Sequence, residues 1–207
     1  MHTMRKVRRF VAIAAALMVA ATACGAEPEP VLAGFERTPD PTVGTFSLPA
    51  VNRGGDDFHF QADDGELLMV YFAFTNCPDF CPTTLADTRL ALNELGPRAE
   101  DIDVAVVTID PARDSAEAIS DYVEAFIPDG IALRTDDEFL LRETTFAFGA
   151  DFLIDTDDNG EIQVGHTTNL FAVDDTGSLI LTWPFGVTTD DFVNDMNILL
   201  DRFEARA

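Results

Sequence analysis

Lysine is all but missing from this chain: Lys6 is the single lysine among 13 basic residues, and 37 acidic residues bring the formal charge to −24. A surface so negative repels phosphate backbones and anionic head groups, which excludes nucleic acid as a partner; the acidity itself reads as a device for solubility. Cysteine is scarce, with only Cys24, Cys77 and Cys81, so a disulfide-dense scaffold is excluded. Histidine is as sparse, limited to His2, His59 and His166. Near the N-terminus the apolar run Phe10–Ala21 is about a dozen residues, short of the roughly 20 that span a bilayer, which argues against a permanent transmembrane helix.

What the front end does contain is an export signal. Arg5, Lys6, Arg8 and Arg9 form a basic region ahead of the apolar run, and Ala21-Thr22-Ala23-Cys24 sets small residues before a cysteine. Bacterial lipoprotein signals are cut at that pattern. The expectation is a lipoprotein signal peptide over residues 1–23, a lipid anchor on Cys24, and an extracytoplasmic protein held to the membrane. Losing residues 1–23 removes four cations and no anion, moving the formal charge from −24 to −28. Pro28, Pro30, Pro39 and Pro41, with few apolar neighbours, predict a flexible tether over residues 24–45. Globular patterning starts at Phe46, and residues 46–207 suffice for one domain with a sizeable core.

Within that domain Leu67–Phe74 is an uninterrupted apolar run and predicts a buried strand. Pro82–Leu95 predicts a helix stopped by Gly96-Pro97, followed by a second buried strand at Val104–Ile109 and a helix over Asp114–Phe126. A short strand is expected at Ile131–Arg134 and a helix at Glu138–Phe148. Phe152–Ile154 and Ile162–Val164 flank a polar turn, Asn169–Val173 and Leu179–Trp183 form a hairpin across Asp174-Asp175-Thr176-Gly177, and a helix closes the chain over Thr189–Phe203. This order predicts an α/β layer fold with a mixed sheet.

The chemistry concentrates where the first buried strand gives way to a helix, at Cys77-Pro78-Asp79-Phe80-Cys81-Pro82. Pro82 suits the first helical position, which places Cys81 at or beside the N-cap, where backbone N–H groups and the helix dipole favour a thiolate. Cysteines four apart can turn both sulfurs to one side, and such a pair has two fates, a metal or mutual oxidation. A loop this short gains little chain entropy from a disulfide. His59, between Phe58 and Phe60, reads as an exposed strand residue. His166, just before a core strand in Gly165-His166-Thr167-Thr168, reads as the third ligand. Two thiolates and an imidazole suit Cu(I), Cu(II) or Zn(II) without choosing among them. Asp155–Gly160 imitates the first half of a calcium loop, but position twelve would be His166 and the flanks are strands, so a solvated hairpin turn is expected.

The stretch from Val70 to Leu85, reading Val-Tyr-Phe-Ala-Phe-Thr-Asn-Cys-Pro-Asp-Phe-Cys-Pro-Thr-Thr-Leu, closely resembles the signature of the SCO/SenC family. Val107–Asp114 is similar to that family's second motif and Gly165–Thr168 to its third, in the same order from Phe46 to the last helix. The resemblance implies a thioredoxin-like fold: a mixed central sheet flanked by helices, with an N-terminal hairpin and an inserted hairpin. It implies copper, as Cu(I) or Cu(II), on Cys77, Cys81 and His166, with Asp110 as a carboxylate that tunes or caps the site; a solvated strand-end carboxylate is the other reading of Asp110. It further implies a metallochaperone that serves the binuclear copper centre of cytochrome c oxidase, the copper-bearing subunit being its partner. Two departures stand out: Asn76 where many relatives carry a histidine or another ring, and Gly165 where an acidic residue often precedes the histidine.

Two other activities share these residues. A thiol–disulfide oxidoreductase could use Cys77 and Cys81, but dedicated reductases of this fold space their cysteines by two residues and place a cis-proline before the facing strand; no proline occurs between Pro128 and Pro184. A peroxidase centred on Cys77 would need a nearby arginine, for which Arg113 is the candidate. Neither outweighs a carrier without enzymatic turnover.

Overall fold

The computed structural model describes residues 31–206. Its strands are β1 (Ser47–Pro49), β2 (Asp57–His59), β3 (Leu67–Ala73), β4 (Ile102–Thr108), β5 (Ile131–Leu133), β6 (Phe152–Thr156), β7 (Ile162–His166), β8 (Leu170–Val173) and β9 (Leu179–Trp183). Its helices are α1 (Phe80–Leu95), α2 (Ala116–Phe126), α3 (Glu138–Ala147) and α4 (Thr189–Glu204), with a 3₁₀ turn over Gly96–Asp101.

A five-stranded sheet runs in the order β5-β4-β3-β8-β9. β3, β4 and β5 are parallel, while β8 and β9 run antiparallel to their neighbours. Every residue of β3 is buried, which explains its unbroken apolar sequence: a strand covered on both faces has no solvent side to alternate with. Alternation still sorts its side chains between faces. Phe72 meets Phe148 and Phe171 on one face, with ring centroids 5.4 and 6.0 Å away, and Phe60 closes this cluster at 5.1 Å from Phe148. Tyr71 points to the other face, against Cys81 and Thr84 of α1. There α1 packs against α2 and α4. The mixed sheet, the β1–β2 hairpin and the separate β6–β7 hairpin match the expected thioredoxin-like architecture.

Residues 32–45 differ from the expected tether. Val43 is fully buried, Phe35 and Thr42 bridge to Thr182 and Ser178 in the β8–β9 hairpin region, and the amides of Ala33 and Gly34 donate to the Asp195 carboxylate at 2.9–3.1 Å. The packed unit accordingly begins at Leu32. Proline enforces an extended chain without deciding whether that chain is free. Here the strap covers the exposed edge of β9, satisfying backbone groups that an edge strand leaves open. Cys24 and the expected signal peptide over residues 1–23 lie outside the described residues. No helix among the described residues is long and apolar enough to cross a membrane.

Candidate metal centre

β3 delivers the chain to the site and α1 carries it away, so the loop between them, residues 74–79, sits at the C-terminal end of the sheet. Two hydroxyls there, on Thr75 and Thr108, end adjacent buried strands and need an acceptor. Asp114 supplies it: fully buried, it takes the Thr75 amide at 3.0 Å, the Thr75 hydroxyl, and the Thr108 hydroxyl at 2.7 Å. This carboxylate fixes the loop that presents Cys77, a role the sequence reading missed although Asp114 lies within a stretch it singled out. The signal was available: two threonines at the ends of buried strands imply a shared buried acceptor.

The helix start differs from expectation. α1 begins at Phe80 with Asp79 at the N-cap, placing Cys81 second and Pro82 third in the helix. Proline is tolerated there because first-turn amides lack intrahelical partners. Asp79 makes no side-chain cap. Instead the Cys77 sulfur accepts the Cys81 amide at 3.3 Å, so the helix N-terminus is directed at Cys77. Cys81 is fully buried, and burial, reinforced by neighbouring Cys77, pushes its thiol upward, away from the thiolate expected of an N-cap cysteine. Both thiols are unbonded.

His166 reaches the pair from the β6–β7 hairpin, where it lies opposite Phe152. Its Nε2 stands 3.5 Å from the Cys81 sulfur and its Nδ1 lies 2.8 Å from the Thr167 carbonyl. A carbonyl only accepts, so Nδ1 carries the proton and Nε2 turns its lone pair to the sulfurs, the tautomer a metal ligand needs. The backbone carbonyl thus orients the ring without the acidic neighbour that Gly165 replaces. Burial holds the imidazole below its ordinary range, with the Thr167 carbonyl opposing the shift in part. Phe74 meets the ring edge-on at 5.7 Å.

Ligand atoms of Cys77, Cys81 and His166 all lie within 4.8 Å of one another. Donors held about 2.0–2.3 Å from one ion are at most about 4.6 Å apart, so the three fit a common metal after a small contraction. An open concavity of about 460 Å³ reaches Cys77 and His166 but not Cys81, and is lined also by Phe80, Arg113 and the hairpin strand Ile162–His166. Asp110 is not the solvated strand-end carboxylate of the second reading. It is buried and forms an ion pair with Arg113, whose guanidinium lies 5.9 Å from the Phe74 ring centre. His59 is exposed on β2, as expected. Of the expected turn Asp155–Gly160, Asp155 and Thr156 end β6, paired with Gln163 and Ile162, and the turn proper starts at Asp157, whose carboxylate accepts the amides of Asn159 and Glu161 at 2.9 Å.

The family model of SCO1/SenC matches residues 35–201. An SCO2-like protein of Rickettsia prowazekii is 30% identical over 136 residues, covering 65% of this chain and 65% of that protein. The match thus spans a little less than two thirds of that relative's length. Among solved structures, apo Sco1 of Thermus thermophilus superposes with a TM-score of 0.66 at 28% identity, covering 87% of this chain and all (100%) of that one. ScoI of Bradyrhizobium japonicum, solved with copper bound, gives a TM-score of 0.64 at 22% identity, covering 76% of this chain and 96% of that one.

Proposed function

Because the chain belongs to the SCO1/SenC family, we propose that it is an extracytoplasmic copper carrier that holds the ion between Cys77, Cys81 and His166. In this reading it passes copper to the copper-bearing subunit of cytochrome c oxidase, or prepares that subunit's binuclear centre, in keeping with a family of cytochrome c oxidase assembly proteins. A lipid on Cys24 would hold it to the membrane. The observation that carries the reading is the convergence of two sulfurs and a correctly protonated imidazole from sequence positions 85 residues apart.

The donor set explains why a carrier suits it. Two thiolates satisfy soft Cu(I), and the neutral imidazole lets the same site accept Cu(II). Three ligands leave the ion open on the side of the concavity, where an acceptor's ligands can enter before the donor's leave. The exposed Phe80–Phe185 pair, 4.8 Å apart, gives that mouth an apolar rim. Anaerobic Cu(I) titration with X-ray absorption should count two sulfurs and one nitrogen, and Cys77→Ser, Cys81→Ser and His166→Ala should each lose most of the affinity. Unchanged stoichiometry and spectrum in His166→Ala would remove the three-ligand site.

One observation keeps a second reading in view. The Cys77 sulfur sits at a helix N-terminus beside an unbonded partner thiol. That arrangement can attack a disulfide: Cys77 forms a mixed disulfide and Cys81 resolves it, transferring two electrons and leaving this pair oxidised. Rapid turnover of a disulfide substrate by copper-free His166→Ala protein would favour this enzyme over the carrier.

A further inference from the structure

Among the described residues four buried side-chain oxygens lack a hydrogen-bond partner: Tyr71, Tyr122, Thr144 and Thr182. The first two are the chain's two tyrosines, set against 17 phenylalanines. A buried phenol normally finds a partner, since an orphaned hydroxyl forfeits its hydration without return. Tyr71 is fully buried in the middle of β3, where a phenylalanine would fill the same space without that cost. Its hydroxyl lies against Cys81 and Thr84 without reaching good hydrogen-bond geometry with either. Tyr122 approaches the cysteines more remotely, from α2.

We propose that Tyr71 is a positioning residue for the metal centre, donating its hydroxyl proton in a hydrogen bond to the Cys81 sulfur when that sulfur is a metal-held thiolate. The inference rests on the copper reading above. A thiol sulfur is a weak acceptor, which fits an idle hydroxyl in the metal-free state; a thiolate bound to copper is a strong one. Donation draws charge onto the sulfur and away from the metal, an effect larger for Cu(I), whose thiolate keeps more negative charge, than for Cu(II). The hydroxyl therefore biases the site toward the reduced ion. Tyr71 is fully buried and does not line the open mouth, so an acceptor entering there does not displace it.

The test compares the full chain with Tyr71→Phe and Tyr122→Phe, titrating each with Cu(I) anaerobically and with Cu(II). Loss of a hydrogen bond to a charged sulfur predicts about tenfold weaker Cu(I) binding in Tyr71→Phe, with a smaller loss for Cu(II). The sulfur-to-Cu(II) charge-transfer band should move to longer wavelength. Metal-free Tyr71→Phe should melt no lower than the parent, because the removed hydroxyl had no partner. Tyr122→Phe should leave both affinities and the band unchanged. Unaltered Cu(I) affinity and band in Tyr71→Phe would overturn the proposal, as would equal changes in Tyr122→Phe or a lower melting point in metal-free Tyr71→Phe. If the parent itself binds no copper, the carrier reading falls and takes this one with it; if the parent binds and Tyr71→Phe is indistinguishable, only this one falls.

Discussion

Phe152 and His166 face each other across the β6–β7 register. Most of that hairpin is exposed, but Phe152 is buried, with the Arg142 guanidinium 4.6 Å from its ring centre. The residue that anchors the hairpin to the domain is therefore the cross-strand partner of the residue that reaches the sulfurs. The Asp151 carbonyl and the Thr167 hydroxyl lock the adjoining rung, accepting the amides of Thr167 and Asp151 at 2.9 and 3.1 Å.

Phe152→Ala should therefore weaken copper binding without touching a ligand. Truncating a buried phenylalanine costs about 3–5 kcal/mol, and here much of it should appear as local loosening of the hairpin. Hydrogen exchange of the β6–β7 amides should rise and copper affinity fall, whereas Asp158→Ala at the exposed turn should change neither.

Asp114→Ala should be among the most damaging changes outside the ligands. It strips the acceptor from the Thr75 amide and from two hydroxyls at once, leaving buried donors unpaired. A loss of about 3 kcal/mol or more is expected, read as a lower urea midpoint at an unchanged slope.

The metal-free protein should lose stability on both sides of neutrality. Burial lowers His166 from its ordinary 6.5, so below 6.5 the unfolded chain binds more protons than the fold, and stability falls as pH drops through the folded value. Burial raises Cys81 from its ordinary 9.0, so its contribution is complete below 9.0 and is lost as pH climbs past it. His166→Gln should flatten the acid limb of a urea-midpoint profile and leave the alkaline limb intact.

Copper uptake should release protons near neutral pH. Cys81 is held as a thiol by burial and must deprotonate to ligate, while His166 is already neutral and contributes none. A weakly buffered sample should acidify on Cu(I) addition, and affinity should tighten as pH rises. Uptake without proton release would contradict a Cys81 thiol kept protonated by burial.

Asp195→Ala should free the strap and disturb the single tryptophan. That buried carboxylate accepts Trp183 Nε1 at 2.8 Å together with the Ala33 and Gly34 amides. Its removal should cost about 2–4 kcal/mol, shift tryptophan fluorescence, and open residues 33–45 to protease before the rest of the domain.

The sequence alone determined the elements and the ligand types. A strand covered on both faces must be apolar throughout, so Leu67–Ala73 was legible in full and the second strand from Val104 onward, its first two residues being missed because half-buried Asp103 interrupts the apolar run; cysteines four apart at a strand-to-helix junction declared a dithiol. What only the tertiary structure decided depends on partners distant in the chain. Periodicity cannot say that a proline-rich strap packs, because the carboxylate that holds it, Asp195, is 161 residues from Gly34. Nor can it say that Asp110 spends its charge on Arg113, that the helix N-terminus addresses Cys77 rather than Cys81, or that a backbone carbonyl replaces an acidic residue in setting the His166 tautomer. Local pattern reports how each segment meets water; which hydrogen-bonding groups meet each other is settled only when the segments close on one another.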